Sequence, residues 1–250
     1  ALFCTSCGCN VAIGASALTC NTYGSNNVAI GASSMACNTI GYNNVGVGYS
    51  TLYANTGGCY NVALGYKSLY GSITGSLNIA MGCQALYSNA GGSCNVALGG
   101  CSLYANTTGQ NNVAIGQFAL SSSTVGGSNI AISSNALFSN ISGCYNTAIG
   151  YQSAYFNIAG GHNIAVGCNA MYCGTASCYL IAIGPDTLKN NTSGCYNIAI
   201  GHASLFGNTT GGGNIGIGCG TLYCNSTGLC NVAIGHDTMC HNTGGRDNIA

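Results

Sequence analysis

Eighteen cysteines, four histidines and three acidic residues are the side chains here most able to do chemistry. Cys4, Cys7 and Cys9 have the spacing of metal ligands, and His162, His202, His236 and His241 supply imidazoles. A structural tetrahedral site needs four converging ligands, and no second matching cluster follows. Asp186, Asp237 and Asp247 are scattered and glutamate is missing, so no carboxylate pair is set for general acid–base work. Serine and histidine occur without an acid to orient them. Glycines follow no phosphate-loop pattern, since no Lys-Ser/Thr closes one. The expectation is a chain that is not an enzyme and needs neither cofactor nor metal. What remains is thiol chemistry, and this many cysteines in so polar a chain fits an oxidising setting.

The elements that position these residues repeat. A segment Asn-Val/Ile-Ala-Ile-Gly opens at Asn10, Asn27, Asn44, Asn61, Asn78, Asn95 and Asn112. It continues at Asn129, Asn146, Asn163, Asn197, Asn214, Asn231 and Asn248. Leu180 takes the one missing start and stays in register, followed by Ile181-Ala182-Ile183-Gly184. A fixed short period without insertions is the signature of a solenoid, in which each unit stacks on the last. Residues 1–250 are expected to form one continuous array. No capping segment is visible at either end, so the array reads as a window of a longer chain.

Charge is nearly absent: Lys67, Lys189 and Arg246 are the cations. That leaves no basic stripe for nucleic acid. No apolar run is long enough to span a membrane. A surface with so few charges does little to keep copies apart, which points to self-assembly. A hydrated, uncharged surface of Asn, Ser, Thr and Gly is the plainer alternative.

Two short extended stretches are predicted per coil, Val-Ala-Ile and Ser-Leu-Tyr-x-Asn-Thr, separated by turn residues. The fold class is therefore all-β, a parallel β-solenoid or β-roll of strict seventeen-residue coils with two short strands each. At about 4.8 Å per coil the array would make a rod of roughly 70 Å. Alternation puts Val113 and Ile115 on one face of the first strand and Asn112, Ala114 and Gly116 on the other. The β-branched pair is expected inside. The middle position is always Ala or Gly, as at Ala29, Gly46 and Gly216, and is expected outside, pressed against another copy of the chain. A second layer of the same chain is the alternative. Leu52, Leu69 and their equivalents are core. Tyr53, Tyr70, Tyr87 and Tyr104 should stack along the axis. The opening Asn file and a second one through Asn21, Asn38, Asn55, Asn89 and Asn106 should form amide ladders. Charged residues and histidines fall near turns, or in the aromatic file at Lys189, and should be solvated.

Runs such as Asn26 to Ser33 and Asn61 to Leu69 resemble the YadA-like head repeats of trimeric autotransporter adhesins. The longer unit from Asn95 to Asn112 is similar to arrays in phage and giant-virus tail fibres. The resemblance covers the whole chain. It implies a left-handed parallel β-roll, three chains about one axis, and a surface fibre that binds host or matrix. The adhesin repeat is typically shorter, near fourteen residues, and poor in cysteine; this chain departs from it on both counts.

In a parallel stack, equal positions in consecutive coils fall within disulfide range. Cys20 with Cys37 and Cys178 with Cys195 fit, and Cys83 with Cys101 is one position off. Buried free thiols and a metal site are the alternatives. Sequons occur at Asn106, Asn140, Asn190, Asn191, Asn208 and Asn225, where glycosylation is an option that the repeat alone would also generate. The expected function is a structural, disulfide-stapled subunit of an extracellular, cell-surface or virion-surface fibre. Its partners would be copies of itself and a host surface or matrix. An ice-binding or ligand-binding solenoid is the alternative, the former drawn from a Thr file through Thr22, Thr39, Thr56 and Thr107.

Overall fold

The computed structural model describes residues 8–250. The chain divides into two compact units, Ala1–Gly127 and Ser128–Ala250. The first carries β1 (Val11–Ile13), β2 (Val28–Ile30), β3 (Val45–Val47), β4 (Val62–Leu64), β5 (Ile79–Met81), β6 (Val96–Leu98) and β7 (Val113–Ile115). The second carries β8 (Ile130–Ile132), β9 (Thr147–Ile149), β10 (Ile164–Val166), β11 (Ile181–Ile183), β12 (Ile198–Ile200), β13 (Ile215–Ile217) and β14 (Val232–Ile234). Within each unit every strand pairs in parallel with the next in chain order, one repeat out of step. Val45 lies against Val62 in the first unit and Ile164 against Ile181 in the second. Each unit is thus a parallel β-solenoid whose coil is the seventeen-residue repeat, and the described residues contain no helix.

One expected strand is not a strand. The Ser-Leu-Tyr stretch runs as successive turns, so a coil holds one three-residue strand rather than two. Its leucine and the residue just before the stretch are left-handed, as at Leu52 (φ 49°) and Ser50 (φ 51°). Such a backbone costs an L-residue roughly 1–2 kcal/mol. What offsets the cost is that the bends keep amides aimed at neighbouring coils. Ser50 N donates back to Ala32 O at 3.0 Å, Leu52 N forward to Ser68 O at 3.1 Å, and Ala54 N forward to Tyr70 O at 3.0 Å. An apolar Leu-Tyr pair looks like a strand in sequence, but here the turns supply the ladder.

The two faces of the first strand are also reversed from expectation. The middle Ala is completely buried, as at Ala114, whereas Ile115 is 37% exposed. The alternation holds, with the two sides exchanged. The cause is the opening Asn, which shares a face with the Ala and must point inward. Asn44 N and Nδ2 donate to Asn27 Oδ1 at 3.0 and 3.2 Å, and Nδ2 also donates to Gly58 O at 2.8 Å. With that carboxamide inside, parity sends Val and Ile out. The small position is therefore pressed against its own chain. A methyl group on Gly46 would lie 2.9 Å from both Ser34 Oγ and Thr51 Oγ1, and 3.1 Å from Met35 Cε. Leu52, Leu69, Leu86 and Leu103 fill the rest of this thin interior.

The glycine that closes every strand but β8, where Ser133 takes the place at φ 109°, is favoured by two features at once. Gly48 has φ 131°, and a Cβ there would sit 2.9 Å from the carbonyl carbon of Gly65 in the next coil. An L-side chain is strained on that backbone, and at Gly48 it would also meet the next coil's carbonyl.

Asn95 tests the inward amide. Its Nδ2 donates to Gly109 O at 2.9 Å, and its Oδ1 accepts from Asn112 N at 3.0 Å. Asn95→Ala leaves the buried Asn112 amide without that acceptor and should cost about 3 kcal/mol, read as a lowered denaturant midpoint.

Candidate functional site

Among the described residues no group of three or more His, Cys, Asp or Glu is arranged to hold a metal ion. Cys4 and Cys7 lie outside the described residues. No helix among them is long and apolar enough to cross a membrane. The features with functional bearing are linear: files of like residues along each unit.

The first is the outer face of the strands. In the second unit Ile130, Ile149, Ile164, Ile183 and Ile217 are each between 37% and 41% exposed. They form two parallel rows of β-branched side chains in strict register. In the first unit Asn10, Asn27, Asn44, Asn61, Asn78, Asn95 and Asn112 lie behind the equivalent face as a continuous ladder, every backbone N from Asn27 onward donating to the preceding Oδ1.

The second Asn file is equally buried. Asn38 Nδ2 donates to Asn21 Oδ1 at 2.7 Å and to Gly41 O at 3.0 Å. The sequons at Asn106, Asn140, Asn191, Asn208 and Asn225 belong to this file, and all five are completely buried. Their amide nitrogens donate inside the coil, as Asn208 Nδ2 does to Asn191 Oδ1 at 2.6 Å. The folded coils therefore offer those nitrogens to no glycan.

Tyr53, Tyr70, Tyr87 and Tyr104 stack with ring centroids 5.1 Å apart, and Phe138, Tyr155 and Tyr172 stack at 5.1 and 5.3 Å in the second unit. A second aromatic file, not picked out from the sequence, runs through the residue before the opening Asn. Tyr145, His162, Tyr179 and Tyr196 stack at 4.9, 4.9 and 5.2 Å. Its signal was available as rings one repeat apart, but the intervening His hid it.

The cysteines of the described residues are thiols in this structure. Register brings the candidate pairs together. Cys178 N donates to Cys195 Sγ at 3.2 Å, and Gly161 N to Cys178 Sγ at 3.4 Å. In the first unit Ser76 holds the same position, and Cys59 N donates to its Oγ at 3.0 Å. The sulfur here takes over a serine's role as acceptor. Cys20 and Cys37 occupy equal positions, each amide donating to the following coil. Cys101 N donates to Cys83 O at 2.9 Å. Burial, and secondarily Cys83, pushes the Cys101 thiol up; burial does the same at Cys173, with Lys189 opposing. Both are thereby slowed as nucleophiles.

Lys189 is less solvated than expected. Its Nζ lies 2.8 Å from Asp186 Oδ1 and 5.7 Å from the Phe206 ring centroid. The Lys189 hydrogen bond holds the Asp186 carboxyl below the usual range; partial burial opposes, and Asn169 Nδ2 at 3.2 Å assists.

No protein-family model matches the chain, and no curated protein is found to be similar to it.

Two outcomes follow from the thiols and the ion pair. Mild oxidation by oxidised glutathione should link Cys178 to Cys195 while Cys173 stays reduced, seen by peptide mass mapping without reductant. Asp186 has a lowered folded pKa, so its contribution is present above the unfolded carboxylate range and fades as pH falls through the folded value. Asp186→Asn should cost about 0.5 kcal/mol at neutral pH and nothing near about pH 2, read by thermal unfolding across that range.

Proposed function

We propose that the chain is a non-enzymatic structural subunit of an extracellular or virion-surface fibre that assembles from copies of itself. The observation that carries this reading is the outward Val/Ile face. Ile149 is 38% and Ile183 40% exposed, on a strip that no charged residue interrupts. Monomeric proteins rarely leave contiguous apolar surface open. A second copy is the occupant that fits best, because it carries the same rows at the same coil spacing and can match every rung. The near absence of charge removes the repulsion that would oppose such packing. The cysteines fit an oxidising compartment. The likeness of the repeat to adhesin heads and tail fibres agrees with a surface fibre, a three-chain cross-section and contact with host or matrix.

Ice binding has less support. Thr22 Oγ1 donates to Thr39 O at 2.9 Å, and Thr39 Oγ1 to Thr56 O at 2.9 Å, so the hydroxyl protons are directed along the axis into the ladder. No described cavity or cluster favours a small-molecule ligand.

Ile149→Lys with Ile183→Lys places two cations on the strip without touching the interior. The variant should keep the wild-type circular dichroism spectrum and sediment as monomer, whereas wild type sediments as oligomer. Wild type sedimenting as monomer at all concentrations would remove the proposal. Cryo-EM of the native particle reads the number of chains per cross-section.

A further inference from the structure

The second Asn file is broken at Ser72, Ser123 and Gly174, and the breaks coincide with buried atoms that lack a partner. Asn55 Oδ1, Asn106 Oδ1 and Asn157 Oδ1, each one coil before a break, are buried with no hydrogen bond, as are Ser72 Oγ and Ser123 Oγ. An orphaned buried acceptor costs roughly 1–3 kcal/mol, so two at one place call for a partner.

The missing group can be specified. In an intact coil the Asn Nδ2 serves two acceptors: Asn55 Nδ2 donates to Asn38 Oδ1 at 2.8 Å and to Gly58 O at 3.0 Å. Gly58 O also receives Asn44 Nδ2 at 2.8 Å. One coil on, Ser72 is too short to reach either acceptor. Asn55 Oδ1 is left alone, and Gly75 O accepts only from Asn61 Nδ2 among the side chains, at 2.8 Å. Above the break, Asn89 Nδ2 donates to Gly92 O at 2.8 Å and finds no carboxamide oxygen beneath it.

The space matches. A methyl group built on Gly24 would lie 2.6 Å from Asn38 Nδ2, and one on Gly41 2.7 Å from Asn55 Nδ2. At Gly58 and Gly109, the coils below Ser72 and Ser123, no such group is met, and the nearest amide is the opening Asn at 3.1 and 3.2 Å. What is absent at each break is a carboxamide end, a group whose place one water can take.

We propose that the breaks at Ser72 and Ser123 each bind one buried water molecule that stands in for the absent amide nitrogen. Its two protons go to Asn55 Oδ1 and Gly75 O in one site, and to Asn106 Oδ1 and Gly126 O in the other. Its oxygen accepts from the serine hydroxyl, and in the first site from Asn89 Nδ2 as well. A water with that many polar partners is held as part of the structure. Gly174 is a different case, because Ser177 Oγ moves into the break and accepts Asn191 Nδ2 at 2.7 Å.

The test is magnetic relaxation dispersion of water ¹⁷O on the wild-type protein and on Ser72→Asn/Ser123→Asn, beside a density map that resolves ordered water. The expected result is a density peak within hydrogen-bond distance of Asn55 Oδ1 and Gly75 O. The double variant should lose two long-lived waters while its Tm moves by no more than about 2 °C, since one set of hydrogen bonds replaces another. Ser72→Ala keeps both carbonyl acceptors and should keep its water. An empty map at both breaks overturns the proposal. So does a dispersion amplitude equal in wild type and double variant, with a Tm raised by about 5 °C or more as dry voids are filled.

Discussion

The inward carboxamide of the opening Asn is the constraint from which the rest of the coil follows. It accepts from the next coil's backbone amide, and it donates both to the preceding carboxamide and to the turn carbonyl that closes its own coil, as Asn61 does to Gly75. One side chain thus sets the coil-to-coil spacing and ties the beginning of a coil to its end. Because the strand alternates, it also decides that Ala lies inside and Val and Ile outside.

The interior that results is unlike an ordinary hydrophobic core. Buried asparagines recur once or twice in every complete coil, beside Leu, Ala and Ser or Thr. Burying amides is unfavourable unless they are hydrogen-bonded, and here nearly all are, by one another. The arrangement is cooperative in one dimension, since each ladder bond joins a coil to its neighbour and to nothing further away. That is also where the left-handed residues find their compensation: Leu52 and Ser50 are strained locally, and their amides bond to coils on opposite sides.

The period, the parallel stack, the Asn ladders and the Tyr53 to Tyr104 file were all legible in the sequence, because each depends only on equal spacing. The parity assignment failed because hydrophobicity argued for Val and Ile inside, and nothing in the pattern Asn-Val-Ala-Ile-Gly says that the Asn outranks them. The second strand failed for a related reason. Left-handed leucine has no sequence signal, and Leu-Tyr between turn residues reads as extended. Of the cysteines, register predicted which would be neighbours, such as Cys178 and Cys195. It did not predict that a sulfur would accept a backbone amide where other coils use serine. The breaks at Ser72 and Ser123 were visible as letters, but their meaning needed the orphaned oxygens beneath them.

The ladder of Asn27, Asn44 and Asn61 has a consequence for how such a chain can change over time. Substitution is tolerated one position at a time, as Leu180 illustrates: its own amide still donates to Asn163 Oδ1 at 3.1 Å. A single added or lost residue is another matter. It would displace every carboxamide, glycine and left-handed leucine that follows within the coil, and no neighbouring coil could absorb the shift. Lineages of this protein should therefore diverge freely in composition while conserving length in whole coils, gaining or shedding repeats only in units of seventeen.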